Sequence, residues 1–119
     1  MKNQKLPFFL LFLIILIIST SCPEPKVIRI ETGNLLDTSY TSATIKGTII
    51  DPGEGIVEHG HCWSTSPDPN VGSGNETKKG SRNTAGNFTS ELKDLAAGTY
   101  YYIRAYATDG NGPMIYGED

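Results

Sequence analysis

The sequence predicts an all-β fold, an antiparallel β-sandwich of about seven short strands preceded by an apolar N-terminal signal helix. Three observations carry this. Past residue 22 no stretch shows helical periodicity of useful length. Apolar and β-branched residues recur instead in short runs, several of which alternate with polar residues. Gly, Pro, Asn and Asp separate those runs at regular intervals, with 13 glycines and 7 prolines in 119 residues. A chain of that length holds one small domain and has no room for a two-domain dehydrogenase or a large α/β barrel. A small OB-like barrel is the alternative architecture, and the absence of a helical segment after the leader counts against it.

The apolar residues are unevenly spread. Lys2 and Lys5 give a positive start, residues 8–18 an uninterrupted apolar run, and Ser19, Thr20 and Ser21 a small polar close before Cys22. That is the layout of a bacterial secretion signal. As a helix, eleven residues at ~1.5 Å each cover about 16 Å, roughly half of a ~30 Å hydrocarbon core, so a permanent span is the weaker reading. A cysteine directly after small residues resembles the lipobox of bacterial lipoproteins. Ser21 and Thr20 fit that pattern, and Ser19 stands where the family usually carries Leu, Val or Ile. The resemblance implies that the Cys22 thiol receives diacylglycerol and becomes the first residue of the mature chain. Thiolate nucleophilicity is the chemical reason for a cysteine there. It also implies a membrane partner held through acyl chains and a place in the bacterial cell envelope, on the outer membrane and exposed at its surface. An ordinary signal peptide with an incidental cysteine is the competing reading. On this division residues 1–21 are the signal peptide, 22–26 the lipidated cysteine with a proline-stiffened linker, and 27–119 the domain.

Without Lys2 and Lys5 the net charge moves from −3 to −5. An acidic domain with no Lys/Arg cluster is a poor fit to nucleic acid. Cys62 is the second of two cysteines; once Cys22 is acylated it has no partner in the chain and is expected as a small buried apolar residue.

The strands follow in order. Residues 27–32 are a β-branched run ended by Gly33-Asn34. Residues 42–50 alternate, with Ala43, Ile45, Gly47 and Ile49 on one face and Thr44, Lys46 and Thr48 on the other. Asp51-Pro52-Gly53 is a turn, with Pro fixing φ and Gly permitting φ > 0. Residues 57–64 form the third strand, 65–74 a loop, and 76–81 a weak polar strand at a sheet edge. Residues 87–92 form another strand, 95–98 turn the chain, and 99–108 are the strongest strand. Asp109-Gly110-Asn111-Gly112 makes a hairpin turn, and residues 114–116 open a final strand.

The segment Leu95-Ala96-Ala97-Gly98-Thr99-Tyr100-Tyr101 resembles the E–F corner of fibronectin type III domains, an immunoglobulin-like sandwich. Gly60-His61-Cys62-Trp63-Ser64, Arg104-Ala105-Tyr106-Ala107 and the Gly112 to Gly117 ending are similar to the fibronectin III-like domains of Bacteroidota surface lipoproteins. The resemblance implies that Tyr101 is the tyrosine of the corner, its hydroxyl bonded back to backbone near the turn. Such domains usually run several residues past Tyr116-Gly117, so a short last strand and a partly unpaired neighbour are expected. A truncated chain and a strand donated by a partner both fit that expectation.

Candidate sites are few. Alternation places Tyr101, Ile103, Ala105 and Ala107 inward, and Tyr100, Tyr102 and Tyr106 outward. With Trp63, if its parity is outward, these form an aromatic strip able to contact a protein or a sugar ring. Cross-strand packing of aromatics is the plainer reading of the same residues. His59 and His61 share a strand face at a spacing that could chelate a metal, but no third ligand is evident and solvated histidines are expected. Asp109-Gly110-Asn111-Gly112 resembles the start of a calcium loop but lacks the later glutamate. No catalytic or nucleotide motif is present, and no cofactor is called for. The expectation is a non-enzymatic adhesion, spacer or interaction module, with a carbohydrate-binding accessory domain as the alternative.

Overall fold

The computed structural model describes residues 26–118, so the leader, Cys22 and most of the linker lie outside the described residues. Six strands form: β1 (Ile28–Thr38), β2 (Ala43–Pro52), β3 (Glu58–Ser64), β4 (Gly86–Leu92), β5 (Tyr102–Thr108) and β6 (Ile115–Tyr116). They make two antiparallel sheets, ordered β1-β2-β4 and β3-β5-β6. No helix occurs among the described residues.

The first sheet follows from alternation. In β2, Ala43, Ile45, Gly47 and Ile49 are buried while Thr44, Lys46 and Thr48 between them stay partly exposed. β4 repeats the pattern with Phe88, Ser90 and Leu92 inside. Phe88 stands opposite Gly47, and its ring fills the space that a side chain there would take. These faces build two apolar clusters. One joins Ile30, Ile49, Ile56 and Phe88 to Ala105 and Ala107 of the second sheet. The other joins Ile45 and Leu92 to Trp63, with Leu95, Tyr101 and Ile103 packed against it. Burying each large member stabilises the fold by about 1.5–3 kcal/mol.

Three boundaries differ from expectation. β1 does not stop at Gly33-Asn34; its pairing with β2 slips between Thr32 and Leu35 and then resumes. This is a bulge, and Gly33 fits there because a β-carbon would press on the Lys46 carbonyl. The expected strand at 76–81 lies at the free edge of β3 but is too irregular to count as a strand. It is held by Thr77 N–H to His61 O at 2.8 Å, Lys79 N–H to His59 O at 2.8 Å and Trp63 N–H to Asn75 O at 3.0 Å. The last long strand starts at Tyr102 and not at 99, because residues 97–101 belong to the corner before it.

Candidate functional site

β3 is buried along its whole centre, from His59 to Trp63. Two different layers cover it. The odd residues face the first sheet. Trp63 enters the cluster with Ile45 and Leu92, so it cannot belong to a surface strip. His59 and His61 are buried against Phe88, with ring centroids 4.7 and 5.1 Å from it, which corrects the expectation of solvated histidines.

The His61 side chain sits in a closed polar circuit. Its Nε2 lies 3.3 Å from Lys46 O, a carbonyl that can only accept, so Nε2 carries the proton. Nδ1 then accepts from Ser90 Oγ at 2.7 Å. Ser90 Oγ in turn lies 2.9 Å from Thr77 Oγ1, and Thr77 Oγ1 accepts the His61 N–H at 2.9 Å. Burial holds His61 in its neutral form, with its pKa lowered to about 4. His59, bonded through Nδ1 to Gly80 O at 2.7 Å, is lowered by the same desolvation. A serine at hydrogen-bond distance from an imidazole is also the geometry of a nucleophile and its base. Here both members are buried between the sheets, and every buried side-chain nitrogen or oxygen among the described residues has its partner. The circuit therefore spends its hydrogen-bonding capacity on packing. No group of three or more His, Cys, Asp or Glu able to hold a metal occurs among the described residues.

The even residues of β3 face outward and are covered by residues 65–82. Cys62 is buried with its thiol 3.5 Å from Pro69 O, and desolvation pushes it up to about 11, so it is not a reactive thiolate. Arg104 donates through Nε to Pro69 O at 2.6 Å, and its guanidinium lies 3.8 Å from the centre of the Tyr116 ring. Tyr116 Oη accepts from Val71 N–H at 3.1 Å. Tyr106 stands opposite Gly60, and its hydroxyl donates to Thr77 O at 2.6 Å. Its exposure is 0%. Parity put Tyr106 on the outer face, as expected, but that face is roofed by the loop, so Tyr106 leaves the candidate strip as well.

Two members of the strip remain exposed, Tyr102 on the outer face of β5 and Tyr100 in the corner. Tyr100 lines a cleft of about 500 Å³ at the end of the sandwich where the β1–β2 turn meets the corner. Its walls come from Leu35, Tyr40, Ala43, Tyr101 and Ile103, with the hydroxyls of Thr38, Ser39, Ser42 and Thr99, and no charged residue lines it. Tyr40 and Tyr100 are 89% and 93% exposed, far more than packing would leave them. The walls are tied together: Leu95 N–H donates to Thr41 O at 2.9 Å, Ser39 N–H to Ser42 O at 2.9 Å, and Ala96 N–H to Tyr101 Oη at 2.8 Å. Sequence reasoning found Tyr100 and Tyr101 here and missed Tyr40. An aromatic flanked by Ser39 and Thr41 in a polar turn was the available signal.

The Asp109 carboxylate is taken up by its own turn. Oδ1 accepts from Asn111 N–H and Gly112 N–H, both at 2.9 Å, and these bonds lower its pKa. No family model matches the chain, and neither a curated protein nor a solved structure matches it significantly.

Proposed function

We propose that the protein is a lipid-anchored, non-enzymatic interaction module of the bacterial cell envelope, a fibronectin III-like domain that carries its contact surface at the end away from the membrane. The carrying observation is the opposed placement of two features along β1. The chain enters β1 beside Gly53, Glu54, Asp109 and Pro113, four to six residues after Cys22. The uncharged cleft with Tyr40 and Tyr100 lies at the other end of this 11-residue strand, where Leu35 and Thr38 line it, roughly 23–33 Å from Ile28 at ~3.3 Å per residue. An anchor at Cys22 thus leaves the tyrosines facing outward from the membrane. The fibronectin III-like type is supported by the sheet orders β1-β2-β4 and β3-β5-β6 and by the bond from Tyr101 Oη to the corner.

Fractionation tests the anchor: Cys22→Ala should move the protein from the membrane to the soluble fraction, and retention in the membrane would defeat the reading. A second reading, binding of a neutral sugar ring, is favoured by one observation, two highly exposed tyrosines beside a hydroxyl-lined cleft. Calorimetry or a glycan array compares the chain with its Tyr40→Ala and Tyr100→Ala variants. Glycan binding that both changes abolish would establish it; binding unchanged in both would dismiss it.

A further inference from the structure

The turn between β5 and β6 holds the one Asn-Gly pair of the chain: of seven asparagines, only Asn111 precedes a glycine. Asn111 and Gly112 are both exposed. The Asn111 side-chain amide makes no hydrogen bond among the described residues, whereas Asn70 Oδ1 accepts from Arg104 at 3.0 Å and Asn87 Oδ1 from Thr48 at 2.9 Å. Gly112 has no β-carbon to shield its own backbone nitrogen from the amide carbon of Asn111. A free amide, an unshielded nitrogen and open solvent are the three requirements for cyclisation of an asparagine onto the next residue.

We infer that Asn111 is a site of spontaneous deamidation and that the Asp109 carboxylate restrains its rate. The reaction needs water alone. The Gly112 backbone nitrogen gives up its proton to solvent and attacks Cγ of Asn111. A bond forms between that nitrogen and Cγ, the bond from Cγ to the side-chain nitrogen breaks, and the leaving group takes up a proton to depart as ammonia. Water then adds to either carbonyl of the resulting succinimide and opens it to aspartate or isoaspartate. Asp109 acts on the first step. Its Oδ1 accepts the Gly112 N–H at 2.9 Å, so the nitrogen anion forms at that distance from a carboxylate. Two unit charges so placed repel enough, even at the dielectric of water, to make the anion about tenfold rarer.

The product bears on the sheet next to it. Isoaspartate routes the backbone through the former side chain and lengthens the turn by one carbon. That turn leads into β6, which has only two residues and places Tyr116 against the Arg104 guanidinium and the Val71 N–H. Either product also adds a negative charge near Asp109 and Glu54. The inference does not depend on the anchor at Cys22.

The test incubates the full purified chain at neutral pH and physiological temperature and follows each asparagine by peptide mass spectrometry, with enzymatic methylation to mark isoaspartate. Asn111 should convert several times faster than Asn83, which is also exposed but precedes a threonine. Gly112→Ala should slow Asn111 severalfold by shielding the attacking nitrogen. The added β-carbon fits the turn, its nearest contact being Asp109 Oδ1 at 3.6 Å. Asp109→Ser keeps an acceptor in the turn without the charge and should speed conversion about tenfold. Salt at about 1 M, where the screening length is ~3 Å, should speed the native chain and leave the Asp109→Ser chain unchanged. Conversion of Asn111 no faster than that of Asn83, an unchanged rate in Gly112→Ala, or isoaspartate formed from Asp109 with Asn111 intact would overturn the site. A rate in Asp109→Ser at or below the native one, or a native rate that ignores salt, would overturn the restraint by charge.

Discussion

The two sheets solve burial differently. β2 and β4 keep one wet face, and burial alternates residue by residue along them. β3 and the centre of β5 are buried on both faces, five consecutive residues in β3 and three in β5. The difference does not lie in the strands' hydrophobicity, since β3 reads Glu-His-Gly-His-Cys-Trp-Ser. It lies in residues 65–82, which fold back over the second sheet and bond to the β3 edge. A polar strand can be fully buried when every polar atom is given a partner, as His59, His61, Ser90 and Thr77 are.

The largest expected effect breaks the roofed face directly. Tyr106→Ala should lose about 3–5 kcal/mol of stability in urea unfolding, since a fully buried aromatic and its bond to Thr77 O both go. A loss under 1 kcal/mol would mean that the face is open in solution. Acid should act next. His61 titrates near 6.5 when unfolded and near 4 when folded, so between those values the unfolded chain binds more protons. Its contribution is complete above pH 6.5 and declines as pH falls, by about 3 kcal/mol at pH 4. His59 shifts in the same direction. An unfolding midpoint unchanged from pH 7 to pH 4 would contradict the buried neutral circuit.

Gly60→Ala places a β-carbon against Thr77 O, between β3 and its edge segment, and should cost about 1–3 kcal/mol by overpacking. Amide exchange should then quicken at Thr77 and Lys79 more than in β2; equal changes in both sheets would argue against a local roof. Tyr101→Phe leaves Ala96 N–H without its acceptor and should cost about 0.5–1 kcal/mol, with the corner resonances shifting most in NMR spectra. The smallest effect belongs to the wet face. Thr89→Ala, exposed on β4, should stay within about 0.5 kcal/mol, and a larger loss would show that this face is also covered.

The legibility of the chain divides along the same line. Alternation in residues 42–50 separated the two faces of the central strand of the first sheet residue by residue, and burial follows that division because one side of the sheet meets water. Alternation in residues 101–107 assigned the faces of β5 equally well and still misjudged Tyr106. Parity reports which face a side chain is on, and a loop can cover either face. The same limit applied to His59 and His61: their spacing put them on one side, while their burial depended on Phe88, Ser90 and the Lys46 carbonyl arriving from the other sheet. Gly33-Asn34 read as a stop and proved to be a bulge, since a glycine signals close backbone approach as readily as a chain end.

By itself the sequence determined the all-β class and the main strands and turns, which depend on residues near one another along the chain. Local spacing and φ preferences suffice for these. Only the tertiary structure decided which faces stay wet, that Trp63 and Tyr106 are core, and that Tyr40 and Tyr100 line one cleft. Those outcomes depend on segments tens of residues apart coming together, and solvent exposure belongs to that assembly and not to any single strand.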